Sequence, residues 1–246
     1  MGLLYPGAVK TTNHRDIVDN PDIDAVVVAT PMGSHFKLGM EVLEAGKHLF
    51  LEKPMATNSA DCRLLIDTGA LSLAGCETGD SIAISGACLT MLDPEANRFS
   101  ADVSLETLSL TILGGLEVGS PVNLELAMGV NDRMGGHLVT GHVDGLGTLR
   151  SREGDARAWR FEFEAPMNLA RYIARKGSVC IDGVSLTVNE VQGNRFSVCL
   201  IPHTMDITTL GKLQPGDRVN LEVDLIARYL ERLMDPDLAD DDRRTA

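Results

Sequence analysis

The sequence predicts a mainly β protein: two copies of one small all-β domain in tandem, the first incomplete, with a helix at the C-terminal end and a partial α/β segment in front. Three observations carry this. ISGACLTML at residues 84–92 returns as IDGVSLTVN at 181–189, and laying residues 80–125 on 177–222 without a gap gives 19 identities in 46 positions. Inside each copy, short runs rich in Val, Ile, Leu, Thr and Phe are separated by Gly, Asn, Pro and Asp turn signals. Residues 1–69 share nothing with the repeat and alternate strand-like with helix-like segments instead.

In chain order, DIDAVVVAT reads as a buried parallel strand, HFKLGMEVLEAGKH as a helix, HLFLEKP as a second strand and SADCRLLIDTG as a second helix. The repeat then supplies strands such as SVCIDGVSLTV, RFSVCLI and RVNLEVD, consistent with a small barrel or sandwich. LQPGDRV is a turn, because Pro presets one backbone angle and Gly accepts the next. Helices are expected at MNLARYIA and at DLIARYLERLM. The latter spaces Ile226, Tyr229, Leu230 and Leu233 into one apolar stripe, which either covers the domain's own core or packs against another subunit. The resulting divisions are 1–69, 70–136, 137–225 and 226–246. The opening of the second copy, LVTGHVDGLGTL at 138–149, has no match 97 residues earlier, where EVLEAGKHLFLE stands, so the first copy is expected to lack about two strands.

Composition excludes several classes. With 246 residues, 44% hydrophobic and 23% charged, the chain reads as an ordinary globular protein, and a net charge of −13 argues against nucleic acid or an anionic membrane as partner. The acidic tail DPDLADDD reads as a solvated end. Five cysteines without metal-ligand spacing fit free thiols in a reducing cytoplasm, and no run is long and apolar enough for a membrane span.

GDSIAISGACLT, SLETLSLTILGGL, GGHLVTGHVDGLGTL, KGSVCIDGVSLTVNEV, LIPHTMDITTLG and GDRVNLEVDLIARYLERL together resemble the two-barrel lumazine-binding family of riboflavin synthases, from about Leu71 to Leu233. The resemblance implies tandem six-stranded Greek-key barrels in a homotrimer, with one lumazine bound per barrel. It also implies transfer of a four-carbon unit between two 6,7-dimethyl-8-ribityllumazine molecules, without metal or redox cofactor. Two molecules of one substrate with different fates need two similar but unequal pockets, which gives the repeat a reason.

The resemblance places Cys88, Leu89 and Thr90 in the first copy, and Ser185, Leu186 and Thr187 in the second, against the ligand rings. Asp102, Val103, Ser104, Leu105, Glu106 and Thr107, with Leu200, Ile201, Pro202, His203, Thr204 and Met205, become the pocket walls. Gly141, His142 and Val143 approach the second ring, and Lys176 reaches the ribityl chain. Each residue also has a plainer reading. Cys88 is a small buried hydrophobe or a nucleophile, Thr90 and Thr187 are ordinary strand residues or ligand contacts, and Lys176 is a solvated charge or a contact. His142 is a turn histidine or a proton carrier, and Asp182 is a turn cap or a contact, with Ser85 in its place in the first copy. Cys88, His142 and Ser185 are the candidates for proton transfer and ring orientation.

The front segment, with ATPMGSH and EAGKHLFLEKP, resembles the nicotinamide-dependent dehydrogenases of the glucose-fructose oxidoreductase and inositol dehydrogenase group, in which the Lys of EKP, here Lys53, lies near the nicotinamide. The Gly-rich phosphate loop of that fold does not occur in residues 1–23, so a fragment at a gene-fusion junction is the favoured reading over an NAD(P)-dependent oxidoreductase. A non-catalytic lumazine- or flavin-binding protein is the other alternative.

Overall fold

The computed structural model describes residues 9, 11–30, 34–51 and 63–234, with only the backbone of Phe36 and Leu51. By its internal contacts the chain divides into two compact units, Met1–Cys62 with Glu117–Gly119 and Arg63–Leu116 with Ser120–Ala246.

In the first unit, α1 (Arg15–Val18) leads to β1 (Ala25–Val28), α2 (His35–Glu44) and β2 (His48–Leu51). β1 and β2 pair in parallel from Ala25↔His48 to Val28↔Leu51, an arrangement that needs a crossover, and α2 supplies it. Val18, Val28 and Val42 form a small core with Val26, Leu38 and Leu49 around them. Lys53 and the acidic tail lie outside the described residues.

The second copy closes into a barrel. Its strands are β8 (Gly145–Asp155), β9 (Ala158–Glu164), β10 (Ser178–Ile181), β11 (Val184–Gln192), β12 (Arg195–Leu200) and β13 (Arg218–Val223), in the closed order β10-β11-β12-β9-β8-β13. Alternation along β9 sends Phe161 and Phe163 inward, where Phe163 stacks on Phe196 at 5.8 Å between centroids. Leu149, Val179, Ile181, Val198, Leu210, Val219 and Leu221 complete a core without solvent exposure. Each such aliphatic or aromatic side chain contributes about 1.5–3 kcal/mol on burial.

Among the described residues, the first copy repeats five of these six strands. β3 (Arg63–Asp67), β4 (Ser81–Ile84), β5 (Ala87–Thr90), β6 (Arg98–Asp102) and β7 (Leu124–Leu126) fall, 97 residues earlier, on β9, β10, β11, β12 and β13. The pairing register is kept: Phe99↔Ile66 in β3–β6 mirrors Phe196↔Phe163 in β12–β9. This overturns the helix expected over SADCRLLIDTG, whose first four residues lie outside the described ones. Leu64 and Ile66 are half-buried while Arg63, Leu65 and Asp67 are exposed, a period of two, and the Arg63 guanidinium grips Asp102 at 2.6 and 3.0 Å. A five-residue apolar run is too short for periodicity to separate strand from helix, and pairing with β6 decides it.

Of the two strands the first copy is expected to lack, β9 has a counterpart in β3, and β8 has none among the described residues. The counterpart of β8 would begin at residue 48, where β2 is instead paired with β1. No described strand joins β3 to β7, and the first copy opens into two sheets, β3-β6 and β5-β4-β7. The β5–β6 ladder shrinks to the bridge Leu92↔Ser100 because Pro94, which has no N–H to donate, stands where the second copy has Val191.

Among the described residues, four α-helices complete this unit. α3 (Leu105–Leu110) and α5 (Pro202–Ile207) are repeat mates, α6 (Leu225–Met234) matches its expected span, and α4 (Met167–Ala170) is shorter than MNLARYIA suggests. After Ala170 the chain tightens into i→i−3 bonds, Tyr172 N–H to Leu169 O and Ile173 N–H to Ala170 O, and turns toward β10.

Candidate functional site

The two copies meet through the hairpin turns of the repeated phrase. Ser85-Gly86 and Asp182-Gly183 both take positive φ at two successive residues (45° and 80°, 47° and 85°), the backbone of a type I′ turn. The tips touch: a Cβ on Gly86 would lie 2.6 Å from the Gly183 nitrogen, and one on Gly183 would lie 2.9 Å from the Gly86 nitrogen. Around them every hydrogen bond has a mate. Asn123 Nδ2 donates to Asp182 O and Asn220 Nδ2 to Ser85 O, each at 2.8 Å. Asn123 Oδ1 accepts from Thr209 N–H at 2.8 Å and Asn220 Oδ1 from Ile112 N–H at 2.7 Å. The VNLE repeat is thus a local two-fold seam. The caps differ, the Ser85 hydroxyl accepting from Asn123 N–H at 3.2 Å and the Asp182 carboxylate from Asn220 N–H at 2.7 Å. Burial with no cation beside it pushes the Asp182 carboxyl up to about 7.

Residues 136–141, just ahead of β8, form a strap that reaches both copies. At one end, Ser185 Oγ lies 2.8 Å from His137 Nδ1 and a Cβ on Gly136 would sit 2.5 Å from that oxygen. At the other, Gly141 O accepts from Cys88 N–H at 2.8 Å and a Cβ on Gly141 would sit 2.5 Å from Cys88 Cβ. Between them the buried Glu222 carboxylate accepts from Thr140 N–H and Thr140 Oγ1, both at 2.7 Å, and from Gly141 N–H at 3.0 Å. Five residues of chain span at most about 17 Å, which bounds the separation of the strap's two contact points.

Two positions that correspond in the repeat, one Cys and one Ser, therefore meet the same strap at different points. The lumazine-binding domain family matches residues 39–127 and 140–224, more than half of the chain. The chain belongs to the lumazine-binding family. Riboflavin synthases are among its relatives. That of Photobacterium phosphoreum is 42% identical over 76% of this chain and 86% of its own length, and that of Mycobacterium tuberculosis (strain ATCC 25618 / H37Rv) is 46% identical over 71% and 89%. The Schizosaccharomyces pombe enzyme is 42% identical over 68% of this chain and 81% of its own. Crystal structures of LumP complexed with riboflavin and with 6,7-dimethyl-8-(1'-D-ribityl) lumazine share the fold, with TM-scores of 0.57 and 0.55 and 24% and 23% identity. Each match covers 61% of this chain, and 82% and 81% of the LumP chains. The NAD-binding Rossmann fold of the GFO_IDH_MocA oxidoreductase family matches residues 5–70. The two families overlap over 39–70, and the pairings put the handover between Leu51, in the α/β sheet, and Arg63, in the barrel copy.

On this lumazine-binding framework, Cys88 and Thr90 share the exposed face of β5, while Leu89 between them is buried. In β11, Ser185 is half-buried, Thr187 exposed, and Leu186 packs on the barrel core. Leu89 and Leu186 thus turn their side chains away from the face that carries Cys88 and Ser185. Asp102 is held by Arg63, Val103 is buried, and Ser104 caps α3 by accepting from Thr107 N–H, leaving Leu105 and Glu106 exposed. Leu200 and Met205 pack into the barrel, whereas Ile201, Pro202 and His203 are exposed and Thr204 is half-buried at the start of α5. His142 is exposed with its carbonyl 3.4 Å from Arg228 Nη2, and Val143 is half-buried beside it. Asp182 lies inside the seam. Cys180 is buried and its thiol is pushed up by desolvation, which makes it inert. A polar hollow on the outer barrel face, lined by Glu162, Glu190 and Arg195 among others, contains none of the sequence-predicted site residues.

Lys176 is a special case. It holds φ +67° with its N–H on Val188 O, and its repeat mate Gly79 holds φ +106° with its N–H on Met91 O. A lysine kept in a left-handed conformation that its own repeat fills with glycine is strained by about 1 kcal/mol. Lys176→Gly is therefore expected to raise stability by about that amount in urea unfolding while weakening lumazine binding in a fluorescence titration.

His137, Thr140 and Glu222 were missed by sequence reasoning. The only signal was VNLE itself, which writes Glu125 and Glu222 at one position: Glu125 is exposed, and Glu222 is buried under the strap.

Proposed function

We propose that this chain is a riboflavin synthase-type transferase. It takes two 6,7-dimethyl-8-ribityllumazine molecules and moves a four-carbon unit from one to the other, giving riboflavin and 5-amino-6-(ribitylamino)uracil. Atoms and electrons balance between two identical reactants and these products, so no oxidant or reductant is consumed. The observation that carries the reading is the repeat pair Cys88 and Ser185, equivalent positions of unlike chemistry that meet the strap differently, which supports two unequal pockets, the first copy of one subunit facing the second copy of a neighbour. Holding two reactants in register contributes several kcal/mol to lowering the barrier. Cys88, His142 and Ser185 are the residues assigned to proton transfer and ring orientation, with the β5 and β11 faces, the strap and Lys176 around the ligands.

The finer parts of this reading are a cytoplasmic homotrimer and a gene fusion. The fusion is supported by the α/β unit, whose β2 uses residues that the first barrel's missing strand would need. The trimer is supported by α6, on which Ile226, Tyr229, Leu230 and Leu233 are all more than half exposed. The cytoplasm is supported by free cysteines at 76, 88, 180 and 199. No helix among the described residues is long and apolar enough to cross a membrane.

The open first copy favours a second reading, a protein that binds lumazine without turning it over. Incubating the purified chain with 6,7-dimethyl-8-ribityllumazine and following riboflavin absorbance separates the two. We expect riboflavin to form, more slowly than with a closed first barrel, at the mass of a trimer in sedimentation. Quenched lumazine fluorescence without riboflavin would establish the binding protein, and unchanged fluorescence would remove both.

A further inference from the structure

The imidazole beside Ser185 has no role in the reading above. Ser185 Oγ receives two groups of His137, the ring Nδ1 at 2.8 Å and the backbone N–H at 3.4 Å. The other ring nitrogen, Nε2, is buried and has no hydrogen-bond partner. Approach this close is possible only because the preceding residue is Gly136, whose Cβ would otherwise strike the same oxygen. The first copy has nothing equivalent: 97 residues before His137 stands Met40, in α2, and Cys88 meets the backbone of Gly141 instead.

The tautomer follows from satisfaction of the buried groups. A buried N–H without an acceptor costs more than a bare ring nitrogen without a donor, so the proton belongs on Nδ1 and Nε2 carries the lone pair. Nδ1–H then donates to Ser185 Oγ, and so does the backbone N–H of residue 137. A serine hydroxyl has two acceptor sites and one donor. With both acceptor sites filled, its own O–H is left to point at a ligand.

We propose that His137 is a positioning residue that turns Ser185 into a committed hydrogen-bond donor, so that the second copy's site receives its ligand with an acceptor atom, a ring nitrogen or carbonyl oxygen of the lumazine, against β11. A thiol is a weak donor, and Cys88 has no such partner among the described residues, so the two sites differ in what they offer and not only in which atom they carry. The inference rests on lumazine being the ligand. It adds that the asymmetry between the sites is imposed by the strap.

The test is a double-mutant cycle read by lumazine fluorescence, with a thermal unfolding curve for every variant. His137→Ala and Ser185→Ala should each weaken binding about tenfold, and the double variant no more than either alone, because both remove one donor. His137→Asn, whose amide N–H replaces Nδ1–H, should bind within about threefold of the wild type. His137→Asp, which only accepts, should fall to the alanine level. Additive losses in the cycle, or Asp binding as well as Asn, would overturn the assignment, and the Asn/Asp comparison decides it even if the alanine variant unfolds. Failure of the wild type to bind lumazine would remove the proposed function and this inference together. An additive cycle on a wild type that binds would remove the inference alone.

Discussion

Replacing Gly86 by alanine is expected to cost the fold at least about 3 kcal/mol, with the midpoint of urea unfolding shifted accordingly. Two independent penalties combine. The residue has φ +80°, where an L side chain is disfavoured by about 1–2 kcal/mol. The new Cβ would also lie 2.6 Å from a backbone nitrogen of the opposite turn, which cannot swing aside as a flexible side chain does. Relief means separating the tips, and that stretches the paired bonds of Asn123 and Asn220 across the seam. Gly183→Ala should behave alike. Gly193, in the β11–β12 turn at φ +61° with open space around it, isolates the backbone term, and its alanine variant should lose only about 1–2 kcal/mol. Equal losses at Gly86 and Gly193 would show that the seam is not a close contact in solution.

Asp182→Asn should stabilise the protein at pH 8 by about 2–3 kcal/mol and give little gain at pH 4. The Asp182 carboxyl sits at about 7 when folded, raised by burial from the ordinary carboxylate value. A group raised in this way binds its proton more tightly in the folded state. Its contribution is therefore complete below the unfolded value near 4 and is lost as pH rises through about 7. Asparagine keeps an oxygen for Asn220 N–H without the charge, and Asp182→Ser would copy the cap that Ser85 already provides. Urea unfolding across this pH range checks the slope. A wild type whose stability is flat between pH 5 and 8 would mean that the carboxylate is compensated.

Much of this architecture was legible in the sequence, and for a physical reason. The 97-residue offset records a backbone need at each repeated position: glycine at two touching turns, asparagine at two reciprocal bridges, phenylalanine at 99 and 196 in two cores. β3 was not legible. Leu64 and Ile66 keep the apolar pattern of Phe161 and Phe163 without their identity, and a run of five residues gives no period to read. The site divided in the same way. Cys88 and Ser185 stood out because the repeat compares them, whereas His137 and Thr140 lie in the unrepeated strap and act through contacts that only the folded chain creates. Asp182, read as a turn cap or a ligand contact, has its carboxylate on the Asn220 N–H of β13, a partner that only the folded chain brings beside it.

The seam also sets a schedule for synthesis. Gly86 leaves the ribosome 97 residues ahead of Gly183, the turn it must touch. At roughly 5–20 residues per second, that is about 5–20 s in which the Ser85-Gly86 turn waits without the partner it packs against. The reciprocal bonds of Asn123 and Asn220 therefore form only after the second copy has been made, so the turn made first is the one that waits for its hydrogen-bond partners.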